Sequence, residues 1–312
     1  KLFTIQKAHP PTASPIPDFP TDMAPRPTSL ALLSAFSAIF SVEGWSTTTN
    51  ASPTSRRMAP TGPIHMSADP AASAGGGGTL LVSHLSAIGT PSCRLILASQ
   101  SPRRREILDM MGLGGRYAHT PSPLDESALQ KELAGKEGIT PETYARTLAE
   151  RKAEALGLVM VEGGETEVEG DADTTFILGS DTIVDLDGHI LEKPTDKAEA
   201  VGMISRLSGR WHKVHTGVAL YRVCESVSGG DGRLSLVSSF TDTARVKFAD
   251  LSERDVVAYV STGEPMDKAG SYGIQGVGGQ LVESMEGDFF SVMGLPMHRL
   301  SRELARAVSS LK

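Results

Sequence analysis

The sequence predicts an α/β domain built on a mixed sheet. Two observations carry this. Short apolar runs alternate along the chain with segments of helical spacing, the pattern of strands covered by helices. Hairpin signals interrupt that alternation, so the sheet is not purely parallel. A third observation, the stretch Leu95–Glu106 (LILASQSPRRRE), locates the chemistry. Three apolar residues run into a small polar turn, followed by a proline, three arginines and an acid. This reads as a buried strand ending at Ala98, a turn over Ser99–Ser101 and a helix from Pro102. Ser101 stands at the N-cap and Pro102 at the first helical position. Backbone N–H groups, hydroxyls and guanidinium groups then meet at one spot, which suits an anion such as phosphate. Three consecutive arginines cannot share one helix face, so at most two can point at a common ligand. Alone, the stretch is equally an ordinary strand-to-helix connection with arginines in water.

Residues 1–92 read differently from the rest. Lys1–Gly78 is rich in Pro, Ser, Thr, Ala and Gly, and it closes on the linker Gly75–Gly78. Leu30–Val42 is apolar but too short to span a bilayer. With Arg26 before it, it resembles a signal-peptide core. The Ser/Thr-rich part after it resembles a transit peptide. A disordered leader without consequence has the same composition. The folded domain is expected over 93–312.

Within that domain, Tyr117–Ser127 reads as a Pro-rich loop carrying Asp125 and Glu126. Pro141–Leu156 has helical spacing in Tyr144, Leu148 and Leu156. Glu162–Asp173 is acidic and reads as an exposed insertion. Phe176–Leu178 is a short strand ending in Gly179-Ser180-Asp181-Thr182. Ile183–Ile190 alternates around Asp187-Gly188, a hairpin signal. Lys197–Leu207 is a helix stopped by Gly209. Val214–Val223 and Leu234–Phe248 are strands joined by a Gly-rich loop. Ser252 caps a helix reaching Val260, with Asp255 as a short capping-box acid. Gly263–Gly279 is a long polar turn region, Leu281–Met285 a strand and Pro296–Val308 the closing helix.

The 312 residues carry a net charge of −7, which opposes a sequence-independent nucleic-acid binder and leaves room for a local basic pocket. The two cysteines, Cys93 and Cys224, form no metal spacing and no disulfide framework, and fit a reducing compartment. His212 and His215 fall on opposite faces of a strand, which argues against a zinc pair. No Walker A run and no well-placed GxGxxG is present, which argues against a kinase, an ATPase motor or a Rossmann dehydrogenase.

Several polar positions stand at expected strand ends or tight turns. Asp181 follows a buried strand, where a carboxylate can hold a divalent metal, orient water or accept its proton, or can simply bond its own turn. Lys193, locked before Pro194, is a phosphate contact or a solvated lysine. Gln275, between Gly273 and Gly276, offers a donor and an acceptor to a base edge, or stabilises its loop. Glu126 is a surface residue by default.

Five blocks, ASQSPRRREIL, GSDTIV with DGHILEKP, LSGRWHKVHTGVAL, EPMDKAGSYGIQG and EGDFFSVMGLP, occur in one order across Arg94–Leu311. Together they resemble the Maf family of nucleoside triphosphate pyrophosphatases, the septum-formation-inhibitor-like proteins. The leader has no counterpart there. The resemblance implies a Maf/ITPase-like α/β fold: an elongated twisted sheet, flanking helices and two lobes around a cleft, in a homodimer. It implies hydrolysis of a nucleoside triphosphate to monophosphate and pyrophosphate with a divalent metal cation (Mg²⁺, Mn²⁺ or Co²⁺). Asp181 resembles the catalytic proton acceptor and, with Glu126, the metal ligands. Ser99, Arg103 and Arg104 match the phosphate-binding turn, and Lys193 the family lysine. Arg104, Thr182 and Gln275 match the marks of the dTTP/UTP branch. Ser180 and Ser271 stand where alanines are common in that branch. A 7-methyl-GTP pyrophosphatase and a non-catalytic cell-division regulator are the alternatives. Neither nucleic acid nor membrane is expected as a partner. The resemblance implies a cytoplasmic protein, whereas the leader suggests an organelle.

Overall fold

The computed structural model describes residues 80–162, 173–224 and 233–311. Most of the leader, the acidic insertion and the Gly-rich connection lie outside the described residues. The elements are β1 (Arg94–Ala98), α1 (Pro102–Leu108), β2 (Ala118–Thr120), α2 (Glu126–Ala134), α3 (Pro141–Val161), β3 (Thr174–Leu186), β4 (His189–Leu191), α4 (Lys197–Leu207), β5 (Trp211–Cys224), β6 (Arg233–Phe248), α5 (Glu253–Ser261), β7 (Val282–Glu286), α6 (Phe289–Met293) and α7 (Met297–Ser309). The strands form one seven-stranded sheet in the order β2-β1-β3-β5-β6-β7, with β4 paired to β3. β2, β1 and β3 run parallel, and β3, β5, β6 and β7 are antiparallel neighbours. The mixed sheet expected from sequence is therefore observed.

One face of the sheet is covered by α3. Ala149, Ala153 and Leu156 pack there on Ile96, Ile177 and Ala219. Two glycines in the strands let the helix lie close. A Cβ on Gly179 would be driven into the carbonyl oxygen of Ala149, and one on Gly217 into that of Ala145. The opposite face carries two separate apolar clusters. In the first, Leu95, Leu97, Phe176 and Phe240 meet α1 and α7. In the second, Val184, Val214, Val246 and Phe248 meet α4 and α5. Between the two clusters that face is polar, with Ser180, Thr216 and Ser291 buried in the gap.

Several elements differ from the sequence reading, each for a physical reason. β3 is a continuous strand of 13 residues, so Asp181 lies inside it and not beyond its end. Polar Ser180 and Asp181 had suggested a turn, but β5 supplies an antiparallel partner at every position from Thr174 to Asp185. The Pro-rich loop holds the three-residue strand β2, paired parallel to β1, and ends where α2 begins at Glu126. Ser101 is the N-cap of α1 but makes no side-chain capping bond; its own N–H donates to Ser99 Oγ instead (3.2 Å). The packed domain also begins before residue 93. Leu81 and Ile88 are buried in the first cluster, and Leu81 N–H donates to Ser301 Oγ of α7 (3.0 Å). The hairpin at Asp187-Gly188 has positive φ at both residues (54° and 86°), the backbone of a type I′ turn. The Ser252–Asp255 capping box of α5 is present in both directions.

Candidate active site

The cleft opens where the sheet changes partners along one edge of β3. β1 pairs with β3 up to Leu178, and β4 takes up the same edge at Val184. Residues 179–183 thus have β5 on one side and no named strand on the other among the described residues. Side chains from both faces of β3 can reach that opening, Asp181 from the α3 face and Thr182 from the other. The parallel strands β1 and β2 also end at this point, the usual place for a ligand crevice in an open sheet. The result is a cleft of about 470 Å³. Ser99, Arg103, Arg104, Glu126, Asp181, Thr182, Lys193 and Gln275 all line it, so every site residue expected from sequence is brought to one place.

Asp181 is 8% exposed, and its carboxylate does not bond its own turn. Its Oδ1 accepts a hydrogen bond from Lys152 Nζ at 2.6 Å. The same ammonium lies 2.8 Å from Glu126 Oε2, so one cation joins two carboxylates from different elements. Burial works against the charged form of Lys152, but Asp181 and Glu126 outweigh it and hold its pKa above the ordinary lysine range. Sequence reasoning missed Lys152, although a signal was present. Tyr144, Leu148, Lys152 and Leu156 recur every fourth residue, which puts a lysine in the buried stripe of α3. Glu126 was expected on the surface; as the first residue of α2 it leans onto Lys152 while staying partly exposed.

The three arginines divide as their spacing requires. Arg104 turns inward: its guanidinium donates to Ser99 Oγ (3.1 Å), Thr182 Oγ1 (3.4 Å) and the Gly294 carbonyl (3.0 Å). Burial lowers its pKa and Asp181 opposes that, while the guanidinium remains a cation. Arg103 lines the cleft and pairs with Asp267 (3.2 Å). Arg105 points away, to His119. Lys193 and Gln275 are exposed at the rim, and among the described residues Lys193 makes no ion pair. Lys268, also missed from sequence, lines the cleft and pairs with Asp267 (2.6 Å). Val184, Val214, Tyr272, Val292 and Met293 add an apolar part to the lining.

Behind the cleft, Glu192 joins three elements. It accepts hydrogen bonds from Tyr144 Oη of α3 (2.8 Å) and from Gln130 Nε2 of α2 (3.1 Å). Burial and the neighbouring Asp181 raise its pKa.

The donor set fits a divalent cation only in part by itself. Among the described residues no group of three or more His, Cys, Asp and Glu side chains forms a metal site. Asp181 and Glu126 nonetheless converge on a position that already accepts a positive charge. Two carboxylates completed by substrate phosphates and water are a common Mg²⁺ environment.

A family model described as Maf-like protein matches residues 94–307. A Homo sapiens relative, "Probable bifunctional dTTP/UTP pyrophosphatase/methyltransferase protein", is 43% identical over 213 residues. That match covers 68% of this chain and 32% of the human protein, so the chain spans about a third of that relative's length. A dTTP/UTP pyrophosphatase of Methylobacillus flagellatus is 42% identical over 211 residues, 68% of this chain and 91% of that protein. The corresponding protein of Bacillus velezensis is 41% identical over 211 residues, 68% of this chain and 95% of its own. Its ordered blocks, its mixed sheet and these matches agree: the chain belongs to the family of Maf-like proteins.

Proposed function

We propose that this chain hydrolyses dTTP and UTP between the α and β phosphates, releasing the nucleoside monophosphate and pyrophosphate. One observation carries the reading. Eight side chains scattered from Ser99 to Gln275 line a single cleft that combines cations, paired carboxylates and an apolar wall. A triphosphate needs the cations, an attacking water needs a proton acceptor, and a pyrimidine needs an apolar wall with an amide at its edge. The names of relatives sharing 41–43% identity support the choice of nucleotide.

In this mechanism Arg103 and Lys193 hold the triphosphate. Arg104, directed to Ser99 and Thr182, orients the hydroxyls that face the nucleotide. Lys152 engages Asp181 Oδ1, and Oδ2 makes no hydrogen bond with a described residue. Asp181 accepts at Oδ2 the proton of the water whose oxygen bonds to the α-phosphorus. The bond from that phosphorus to the bridging oxygen breaks, and pyrophosphate leaves toward Arg103 and Lys193. Asp181 and Glu126 would hold a divalent cation (Mg²⁺, Mn²⁺ or Co²⁺), which when bound neutralises phosphate charge and makes water more acidic. Gln275 and Thr182 read the base. No helix among the described residues is long and apolar enough to cross a membrane. A cytoplasmic homodimer, or one sent to an organelle by the leader, is the reading that the family resemblance and the leader support.

The test is pyrophosphate release by the full chain with Mg²⁺, Mn²⁺ or Co²⁺ against dTTP, UTP, CTP, dATP, GTP and 7-methyl-GTP. The expected result is turnover of dTTP and UTP at least about tenfold above the purines. Preference for 7-methyl-GTP would overturn the roles of Arg104, Thr182 and Gln275 as base readers while keeping the chemistry. Absence of turnover with every metal would overturn the enzymatic reading.

A further inference from the structure

The segment carrying Gln275 is wrapped around a carboxylate that no part of the mechanism uses. Glu264 follows α5, and both of its carboxylate oxygens are engaged from that segment or from beneath it. Oε2 accepts from the N–H of Val277 (2.8 Å). Oε1 accepts from the N–H of Gly278 (3.0 Å) and from Tyr259 Oη (3.0 Å). Tyr259, buried in α5, in turn accepts from the N–H of Gly273 (3.2 Å). Gln275 is therefore bracketed. The backbone two residues before it is tied through Tyr259 to Glu264, and the backbone two and three residues after it is tied to Glu264 directly.

The glycines of the segment show how close the fit is. A Cβ on Gly276 would stand 2.5 Å from Glu264 Oε2, and one on Gly278 would stand 2.5 Å from Tyr259 Oη. The Lys268 side chain lies against Gly273, where a Cβ would meet its Cε at 2.6 Å, and its Nζ donates to the Glu264 carbonyl (2.7 Å). Burial pushes the Glu264 pKa up, but the N–H groups of Gly278 and Val277 and the Tyr259 hydroxyl outweigh it and hold the group ionised below its ordinary range. Hydrogen bonds to an ionised acceptor are the strong kind, and several converging on one group immobilise what donates them.

We propose that Glu264 is a positioning residue for base selection: its carboxylate, with Tyr259, holds the 273–278 segment so that the Gln275 amide meets the edge of a pyrimidine. This rests on the reading that Gln275 contacts the base, and it adds a determinant of selectivity outside the cleft lining. Glu264 touches no substrate atom in this scheme and acts only through the segment it anchors.

The test compares kcat/KM for UTP and GTP in the full chain and in Gln275→Ala, Glu264→Ala and the double variant. Both single variants are expected to lower the UTP/GTP ratio by about tenfold or more, the scale of one lost hydrogen bond to a charged or buried group. The double variant is expected to match Gln275→Ala, since one residue acting through another gives non-additive effects. A merely structural Glu264 would lower both nucleotides equally and leave the ratio alone. A changed ratio in Gln275→Ala with an unchanged ratio in Glu264→Ala overturns this inference and spares the role of Gln275. An unchanged ratio in Gln275→Ala overturns that role and this inference with it. Should Glu264→Ala fail to fold, Glu264→Gln, which turns one acceptor into a donor facing a backbone N–H or the phenol, gives the same readout.

Discussion

At the scale of single residues, the cleft depends on one buried cation between two carboxylates. Lys152 is 5% exposed, and its ammonium has two anionic partners within 2.8 Å. Removing one partner of a buried pair leaves the other charged and desolvated, which costs roughly 3–5 kcal/mol where burial is complete. Lys152→Met keeps the stem and deletes the charge. Asp181 then loses its only hydrogen bond to a described residue and faces Glu126 uncompensated. The expected outcome is a fall in kcat of about a hundredfold or more, the scale of a misplaced proton acceptor, with a lower Tm. Steady-state kinetics and thermal unfolding check it; turnover near that of the parent protein removes Lys152 from the mechanism. Asp181, Arg104 and Gln275 could be named from sequence because turns, glycines and family blocks mark them. Lys152 could not, because nothing local distinguishes a buried lysine from a solvated one until the opposing carboxylates are in place. Only its position in the stripe of Tyr144, Leu148 and Leu156 set it apart.

At the scale of elements, α3 and β3 were each visible as periodic patterns, but their mutual approach was not. The turn-like run Gly179-Ser180-Asp181 hid a strand because its polarity serves the cleft and not a turn. Gly179 and Gly217 read as breaks in their strands, whereas they are the places where a helix backbone comes down onto the sheet. That approach sets the height of Lys152 above Asp181. Gly217→Ala would force a methyl group into the Ala145 carbonyl and lift the N-terminal half of α3. Overpacking of this kind costs about 1–3 kcal/mol, which in a domain of this size lowers Tm by roughly 2–12 °C. Because the shift is transmitted to Lys152, kcat is expected to fall as well. A loss of Tm with unchanged kcat would show that the helix can lift without moving the ion pair. Glu192 belongs to the same scale, since it links α2 and α3, the elements that carry Glu126 and Lys152.

At the scale of the whole domain, the class of fold was legible and its extent was not. Alternating helices and strands with one Asp-Gly hairpin suffice to infer a mixed sheet, and the sheet is mixed. The two apolar clusters on one face follow from long-range pairing, to which a local reading is blind. The first cluster also recruits residues that composition assigns to the leader. Polar Ser83, His84 and Ser86 surround Leu81 and Ile88, so no apolar run announces them, yet these two are 2% and 1% exposed. They pack with α1 and α7, and the backbone from Gly89 to Cys93 closes a small bridge through Thr90. Burial of two such side chains contributes roughly 3–6 kcal/mol. A fragment beginning at residue 93 should therefore unfold about 10 °C or more below one beginning at residue 80. The cleft lies away from these residues, so at low temperature both fragments should cleave the same nucleotides. Thermal unfolding of the two fragments decides it: equal Tm values would mean that 80–92 rests on the domain without stabilising it. A difference confined to Tm would place the start of the folded unit near residue 80. A difference that also reached nucleotide preference would tie the first cluster to the cleft through α1, which packs in that cluster and carries Arg103 and Arg104.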